Sequence, residues 1–167
     1  MRTIALVALS MGLSASALAG PIDDQFAAGV EGIPWGTKLH DLVAIRPGGD
    51  HDFSTAPGDR SYALLDDEPL FGIPRAGTRI QYHFGKHDEV ESVSIGVPYE
   101  RREELLGQLL ASFGQYRTPV RRGTAIAYYW PADRRCSIAV RASREPKNGI
   151  LEFWVYVIEE RADRASR

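Results

Sequence analysis

The sequence has a single cysteine, Cys136, so it cannot form an intramolecular disulfide bond. The folded chain must therefore depend on the packing of its apolar side chains for stability. Cys136 lies in the alternating stretch "CSIAVRA", where a small apolar side chain is expected to face a core. This position favours a buried structural thiol over the alternative, a catalytic nucleophile.

Also absent is any apolar run of the roughly 20 residues that a membrane-spanning helix needs. The N-terminal apolar run extends only from Ile4 to Leu13, follows Arg2, and is succeeded by an Ala-Leu-Ala triplet that ends at Ala19. This layout is typical of a secretory signal peptide, residues 1–19, cleaved at its end. No cysteine stands near the new N terminus to accept a lipid. These features predict a secreted, soluble protein of the periplasm.

An excess of positive charge is lacking as well, because 20 lysine and arginine residues are balanced by 22 aspartate and glutamate residues. Proteins that read nucleic acid need a larger positive field, so the composition excludes that class. The basic pairs Arg121–Arg122 and Arg134–Arg135 are interpreted as solvated turns.

The sequence offers no assembled catalytic or metal-binding motif, such as Gly-x-Ser-x-Gly or a phosphate-binding glycine loop. His83 and His87 stand four residues apart, but Gly85 and the flanking alternation indicate a strand and a turn, so the two would not share a metal. The carboxylates Asp66–Glu68 precede Pro69 and are interpreted as a solvated turn. Acid–base catalysis and contact with a basic partner are their alternatives. We expect no metal, no cofactor and no enzymatic activity.

Two segments have the apolar spacing of amphipathic helices. The first follows "GIPWG", with Thr37 as its expected N-cap, and ends before Pro47. The second extends from about Glu100 to Phe113, and Gly114 stands where a left-handed C-cap is expected. Trp35 is interpreted as packing the start of the first helix onto a sheet. The polar start "GPIDDQ" is predicted to be a loose end.

Alternating apolar residues predict strands, which turn-forming residues separate. The predicted strands are "SYALLD", "TRIQYHF", "VESVSIGV", "AIAYYW", "CSIAVRA" and "ILEFWVYVI", and "RPGGDHDFSTAPGDR" is predicted to be a loop. The order of elements is a helix and three strands followed by a helix and three strands, which indicates a tandem repeat. We therefore predict a single α+β domain, residues 20–167 with loose ends, in which two helices pack on one face of a largely antiparallel sheet.

Several segments resemble, in their order, a pattern found in a group of small secreted bacterial proteins, GxxWGT…YxF…VxI…FGxY…YYW. The segments are "GIPWGTKLHDL", "PLFGIP", "IQYHFGKHDEVESVSI", "LLASFGQY" and "AYYW". The resemblance covers residues 32–156 and implies no activity. The order of elements is also similar in architecture to β-lactamase-inhibitor-protein-like domains and to small outer-membrane assembly lipoproteins. This likeness implies only a fold, because fold does not determine function, and the chain lacks the lipidation cysteine of those lipoproteins.

The last predicted strand, residues 150–158, has large apolar side chains on both of its faces. Leu151 and Phe153 suit a core beneath the helices, whereas Trp154 and Tyr156 occupy the face where a solvated strand normally has polar residues. Either the long loop and the N-terminal segment cover this second face, or it is an open surface that recognises a partner. Tyr, Trp and Arg dominate protein–protein hot spots. In the second interpretation the partner-binding residues are Tyr129, Arg141, Trp154, Tyr156 and, at the edge, His83.

We therefore expect a non-catalytic periplasmic protein that binds a protein partner in the cell envelope through this face. Its specific form would be an inhibitor or immunity protein that blocks an envelope-targeted hydrolase. The alternatives are a small secreted hydrolase that uses a histidine or the Asp66–Glu68 carboxylates, and a helper in outer-membrane assembly. We expect neither membrane insertion nor a nucleic-acid partner.

Overall fold

The computed structural model describes residues 20–53, 60–143 and 149–158. The predicted signal peptide, residues 1–19, lies outside the described residues. So do the tip of the predicted "RPGGDHDFSTAPGDR" loop, most of the "SREPKNG" turn and the C-terminal end. Within the described part of the chain, no helix is both long enough and apolar enough to span a membrane.

The described residues form three helices and ten strands. The helices are α1 (Pro21–Phe26), α2 (Leu39–Ile45) and α3 (Arg102–Phe113), the last preceded by a 3-10 turn at Tyr99–Arg101. The strands are β1 (Gly29–Val30), β2 (Ile33–Pro34), β3 (Asp50–Phe53), β4 (Arg60–Leu65), β5 (Arg79–Phe84), β6 (Val90–Pro98), β7 (Val120–Arg122), β8 (Ala125–Tyr129), β9 (Cys136–Ser143) and β10 (Ile150–Val157). All six predicted strands and both predicted helices are present.

Eight of these strands form one antiparallel sheet in the order β3-β4-β5-β6-β10-β9-β8-β7. Each half is a four-stranded meander that follows a helix, and the halves join where β6 pairs with β10. The predicted α+β class with a largely antiparallel sheet is confirmed. The predicted repeat unit of a helix and three strands is wrong by one strand, because each half has four strands. The additional strands are β3, which lies in the predicted loop, and β7, which includes the basic pair Arg121–Arg122 that was predicted to be a turn. Both are short, polar edge strands, which have no apolar alternation to reveal them.

One face of the sheet, called the inner face, carries the hydrophobic core and all three helices. Phe153 of β10 contacts Phe26 of α1 and Phe71 of the loop after β4, with ring centroids 6.0 and 5.5 Å apart. Leu42 of α2 and Leu105 of α3 are fully buried in the same cluster. Helix α3 ends at Phe113, and Gly114 follows it with a positive φ of 74°, which glycine adopts readily; its ψ of −159° lies outside the predicted left-handed helical cap.

The predicted loose end at "GPIDDQ" is wrong, because α1 is fastened to the β8–β9 hairpin by reciprocal hydrogen bonds. The Asp133 carboxylate accepts the backbone N–H groups of Ile22 and Asp23 at 2.7 and 3.1 Å. These donors have no partner within the helix, so an external acceptor stabilises its start. The buried Asp23 carboxylate in turn accepts the backbone N–H groups of Arg135 and Cys136. Only the folded hairpin brings Asp133 to this position.

Trp35 packs against the core, as predicted, and its Nε1 donates to the carbonyl oxygen of Phe26 at 2.7 Å. It therefore ties the segment before α2 to the end of α1. The prediction of Thr37 as the N-cap of α2 is wrong: its hydroxyl donates to the carbonyl oxygen of Pro34, and Lys38 is the cap residue.

Candidate recognition surface

The opposite face of the sheet, called the outer face, consists of the side chains that alternate with the core residues. Its central row follows the register across five strands, from Gln81 through Ser94, Trp154 and Ala139 to Tyr129. The three described helices all pack on the inner face, so none of them covers this row. The alternative that the N-terminal segment covers the outer face is therefore wrong for α1.

Four side chains of the outer face form a stacked cluster: His83, Arg141, Trp154 and Tyr156. The ring of Trp154 lies 4.6 Å from that of His83 and 5.5 Å from that of Tyr156, with interplanar angles of 24° and 9°. The guanidinium carbon of Arg141 lies 4.5 Å from the Trp154 ring centroid and 5.8 Å from that of Tyr156. Four of the five residues predicted for the partner-binding surface are thus brought together around Trp154.

Small residues beneath the stacked cluster allow the Trp154 indole to lie across the sheet. Its cross-strand neighbours are Ser94 and Ala139, which are 4% and 0% exposed although no described helix covers them. The indole Nε1 donates to Glu152 at 2.8 Å, and the His83 imidazole shares a 3.1 Å hydrogen bond with the Ser94 hydroxyl. The rings are therefore held in place before any partner arrives.

Tyr156 is partly buried within the stacked cluster. Burial raises the pKa of its phenol to about 12, and the nearby positive charge of Arg141 opposes this shift only in part. The hydroxyl is buried without a hydrogen-bond acceptor among the described residues. Tyr156 therefore stays neutral at physiological pH and contributes to the surface as an aromatic ring.

The fifth predicted residue, Tyr129, lies beside the stacked cluster in a groove of about 520 Å³ above β7, β8 and β9. This groove, called the basic groove, contains Arg141 at one side and Arg122 at the other. Its lining residues are Val120, Arg122, Ala125, Ile126, Ala127, Tyr129 and Arg141. Sequence reasoning missed Val120 and Arg122, because only the pairing of β7 with β8 places them on the sheet.

Exposed apolar side chains surround the outer face. Leu65, Val120 and Ile150 are 73%, 44% and 37% exposed, and their register places all three on this face. They lie on β4, β7 and β10, which are not neighbours in the sheet, so they are single apolar positions around the stacked cluster and not one continuous patch. The outer face therefore combines rigid aromatic rings, arginine and an apolar periphery.

The predicted acidic turn has a different structure. Asp66 is buried, and its carboxylate pairs with Arg75 at 3.1 Å and with Arg46 at 3.4 Å, while it also accepts the N–H of Glu68 at 2.9 Å. The interpretation of a solvated turn is wrong for Asp66, because the fully buried guanidinium of Arg75 requires a buried counter-ion. This carboxylate is buried and already engaged by two guanidinium groups, so it is not open to a substrate.

The other candidate catalytic and metal-binding residues form no site among the described residues. Cys136 is fully buried, as predicted, and burial together with the negative charge of Asp23 raises the pKa of its thiol to about 11. Such a thiol stays protonated and is a poor nucleophile at neutral pH. Among the described residues, no group of three or more His, Cys, Asp or Glu side chains could hold a metal ion.

The chain shows no significant match to any protein-family model, curated protein or solved structure with which it was compared.

Proposed function

We propose that this protein is a non-catalytic binding module that recognises a partner protein through its outer face. The observation that carries this proposal is the stacked cluster, which lies on a sheet face that none of the described helices covers. Trp, Tyr and Arg are the residue types that most often dominate the energy of protein–protein interfaces.

The rigidity of the stacked cluster supports this function. Ordering a mobile side chain on binding opposes association, so side chains that are already stacked and hydrogen-bonded bind at a lower entropic cost. Trp154 is fixed by its contacts with His83, Arg141 and Tyr156 and by its hydrogen bond to Glu152. The exposed apolar side chains around it supply area that a partner can bury.

The same geometry favours a protein over a small planar ligand. A sugar ring or a nucleobase needs an open aromatic face on which to stack. Three side chains already contact the Trp154 ring, so such a ligand would first have to displace one of them. A protein partner can instead contact the ring edges, the exposed arginine and the apolar periphery together.

We further propose a location in the periplasm and a role as an inhibitor or immunity protein that blocks an envelope-targeted hydrolase. The leader-like composition of residues 1–19 supports the location. The rigid surface supports blocking by shape, because a pre-formed surface fits a pre-formed cleft with little rearrangement.

The experiment is affinity capture from an envelope extract of the source organism, with the purified protein immobilised. Trp154→Ala should weaken retention of a captured protein about 30-fold or more, which is the effect of losing a hot-spot residue. Gln108→Ala is the matched control, because Gln108 is exposed on α3, on the other side of the sheet. Equal retention by the wild type and a folded Trp154→Ala variant would show that the outer face is not the binding surface.

A further inference from the structure

The two ends of the outer face differ in how their arginines are paired. Arg79, at the β3–β5 end, forms an ion pair with Asp50 at 3.0 Å. In the basic groove, at the other end, Arg122 and Arg141 are both exposed, and neither forms an ion pair with a carboxylate of the described residues. Within the described part of the chain, both cations thus lack a carboxylate counter-ion, although the net charge of the protein is −2.

Arg141 is able to bind an anion. Its guanidinium carbon lies over the rings of Trp154 and Tyr156, and its side chain is exposed, with N–H donors that no carboxylate of the described residues accepts. The neighbouring carboxylate of Glu152, its register partner, accepts the indole N–H of Trp154. A guanidinium with unused N–H donors can donate two parallel hydrogen bonds to the two oxygens of a carboxylate.

The other residues that line the basic groove, besides its two arginines, are mostly apolar. Val120 is 44% exposed, and Ala127, its register partner, separates it from Arg141. Tyr129 completes the lining on the side of the stacked cluster. The groove therefore has a place for an apolar side chain next to a place for an anionic one.

We propose that the basic groove binds an acidic segment of the partner protein, with an Asp or Glu carboxylate between Arg122 and Arg141 and an adjacent apolar side chain against Val120 and Tyr129. This inference rests on the proposed function, because it takes the outer face as the binding surface. A nucleic acid or a phospholipid surface fits less well, since both need a wider positive field than two arginines supply.

The first experiment pans a phage-displayed library of random peptides on the wild-type protein and on an Arg122→Glu/Arg141→Glu variant. The proposal predicts that peptides enriched only on the wild type contain Asp or Glu next to an apolar residue. It is overturned if no peptide is enriched, if enriched peptides lack acidic residues, or if both proteins enrich the same peptides. Peptides lost on Trp154→Ala but kept on the double arginine variant would support the proposed function and reject this inference.

The second experiment measures the affinity of a synthetic copy of the most enriched peptide. Arg122→Gln and Arg141→Gln should each weaken binding about tenfold, and the loss should shrink at high salt, as expected for partly exposed charge pairs. Arg79→Gln is the matched control, since Arg79 is an exposed arginine on the same face and already has a counter-ion. Equal losses for all three variants would indicate an unspecific effect of net charge and would overturn the proposal.

Discussion

The buried ion pair between Asp66 and Arg75 gives the sharpest test of whether the acidic segment is structural or catalytic. The Arg75 side chain is 0% exposed and that of Asp66 is 2% exposed, with 3.1 Å between their charged atoms. Arg75 Nε also donates to the carbonyl oxygen of Glu68. Asp66→Ala would leave a buried guanidinium whose remaining acceptors are backbone carbonyl oxygens.

Breaking a buried ion pair by removing one partner typically costs about 3–5 kcal/mol. Arg46, which lies 3.4 Å from Asp66 and is 27% exposed, cannot replace the lost counter-ion, because it is itself a cation. We therefore expect Asp66→Ala to lower the free energy of unfolding by about 3–5 kcal/mol, a large share of the roughly 5–15 kcal/mol of an ordinary domain.

The assay is urea unfolding followed by tryptophan fluorescence. Glu68→Gln is the control, because this exposed neighbour should change stability by no more than about 0.5 kcal/mol. An Asp66→Leu/Arg75→Met double variant should lose less than the two single variants together, since it leaves no buried charge unpaired. Unchanged stability in Asp66→Ala, or additive losses in the double variant, would refute a structural ion pair.

Two further predictions concern α1 and the thiol. Asp133→Ala should lower the free energy of unfolding by about 1–2 kcal/mol and speed hydrogen exchange in α1, because the start of the helix loses its acceptor. The control is Asp24→Asn, at an exposed position of the same helix, which should have neither effect. Equal effects of the two variants would contradict the role of Asp133 in holding α1 to the hairpin. Cys136 should resist a thiol reagent until the protein unfolds. The unfolded thiol ionises near pH 9.0 while the folded one keeps its proton to about pH 11, so Cys136 lowers stability as pH rises through this window. Cys136→Ala should reduce that loss, and an equal loss in both proteins would exclude the thiol as its cause.

Local sequence patterns were sufficient to predict the helices and strands that have one apolar face. The alternation of Ile80, Tyr82 and Phe84 predicted β5, and the leucine spacing between residues 100 and 113 predicted α3; the structure confirms both. These periods follow from the geometry of a strand or a helix within a few residues. A single sequence therefore contains the information needed to predict such elements.

Elements without such a face were missed. The edge strands β3 and β7 are short and polar, and they exist because a longer strand beside them offers unpaired backbone groups. Helix α1 has only six residues, too few to be stable alone, and depends on Asp133. Arg75 gave no local sign of complete burial, since its counter-ion comes from another part of the loop.

The same distinction between local pattern and tertiary structure applies to the outer face. The sequence alone determined that Trp154 and Tyr156 point away from the core, because successive residues of a strand alternate between faces. Only the tertiary structure decided what they contact: the order β5-β6-β10-β9 brings His83 and Arg141 to Trp154, and the pairing of β7 with β8 adds Arg122. The direction of a side chain is a local property of the backbone, whereas its neighbours depend on which distant strands pair.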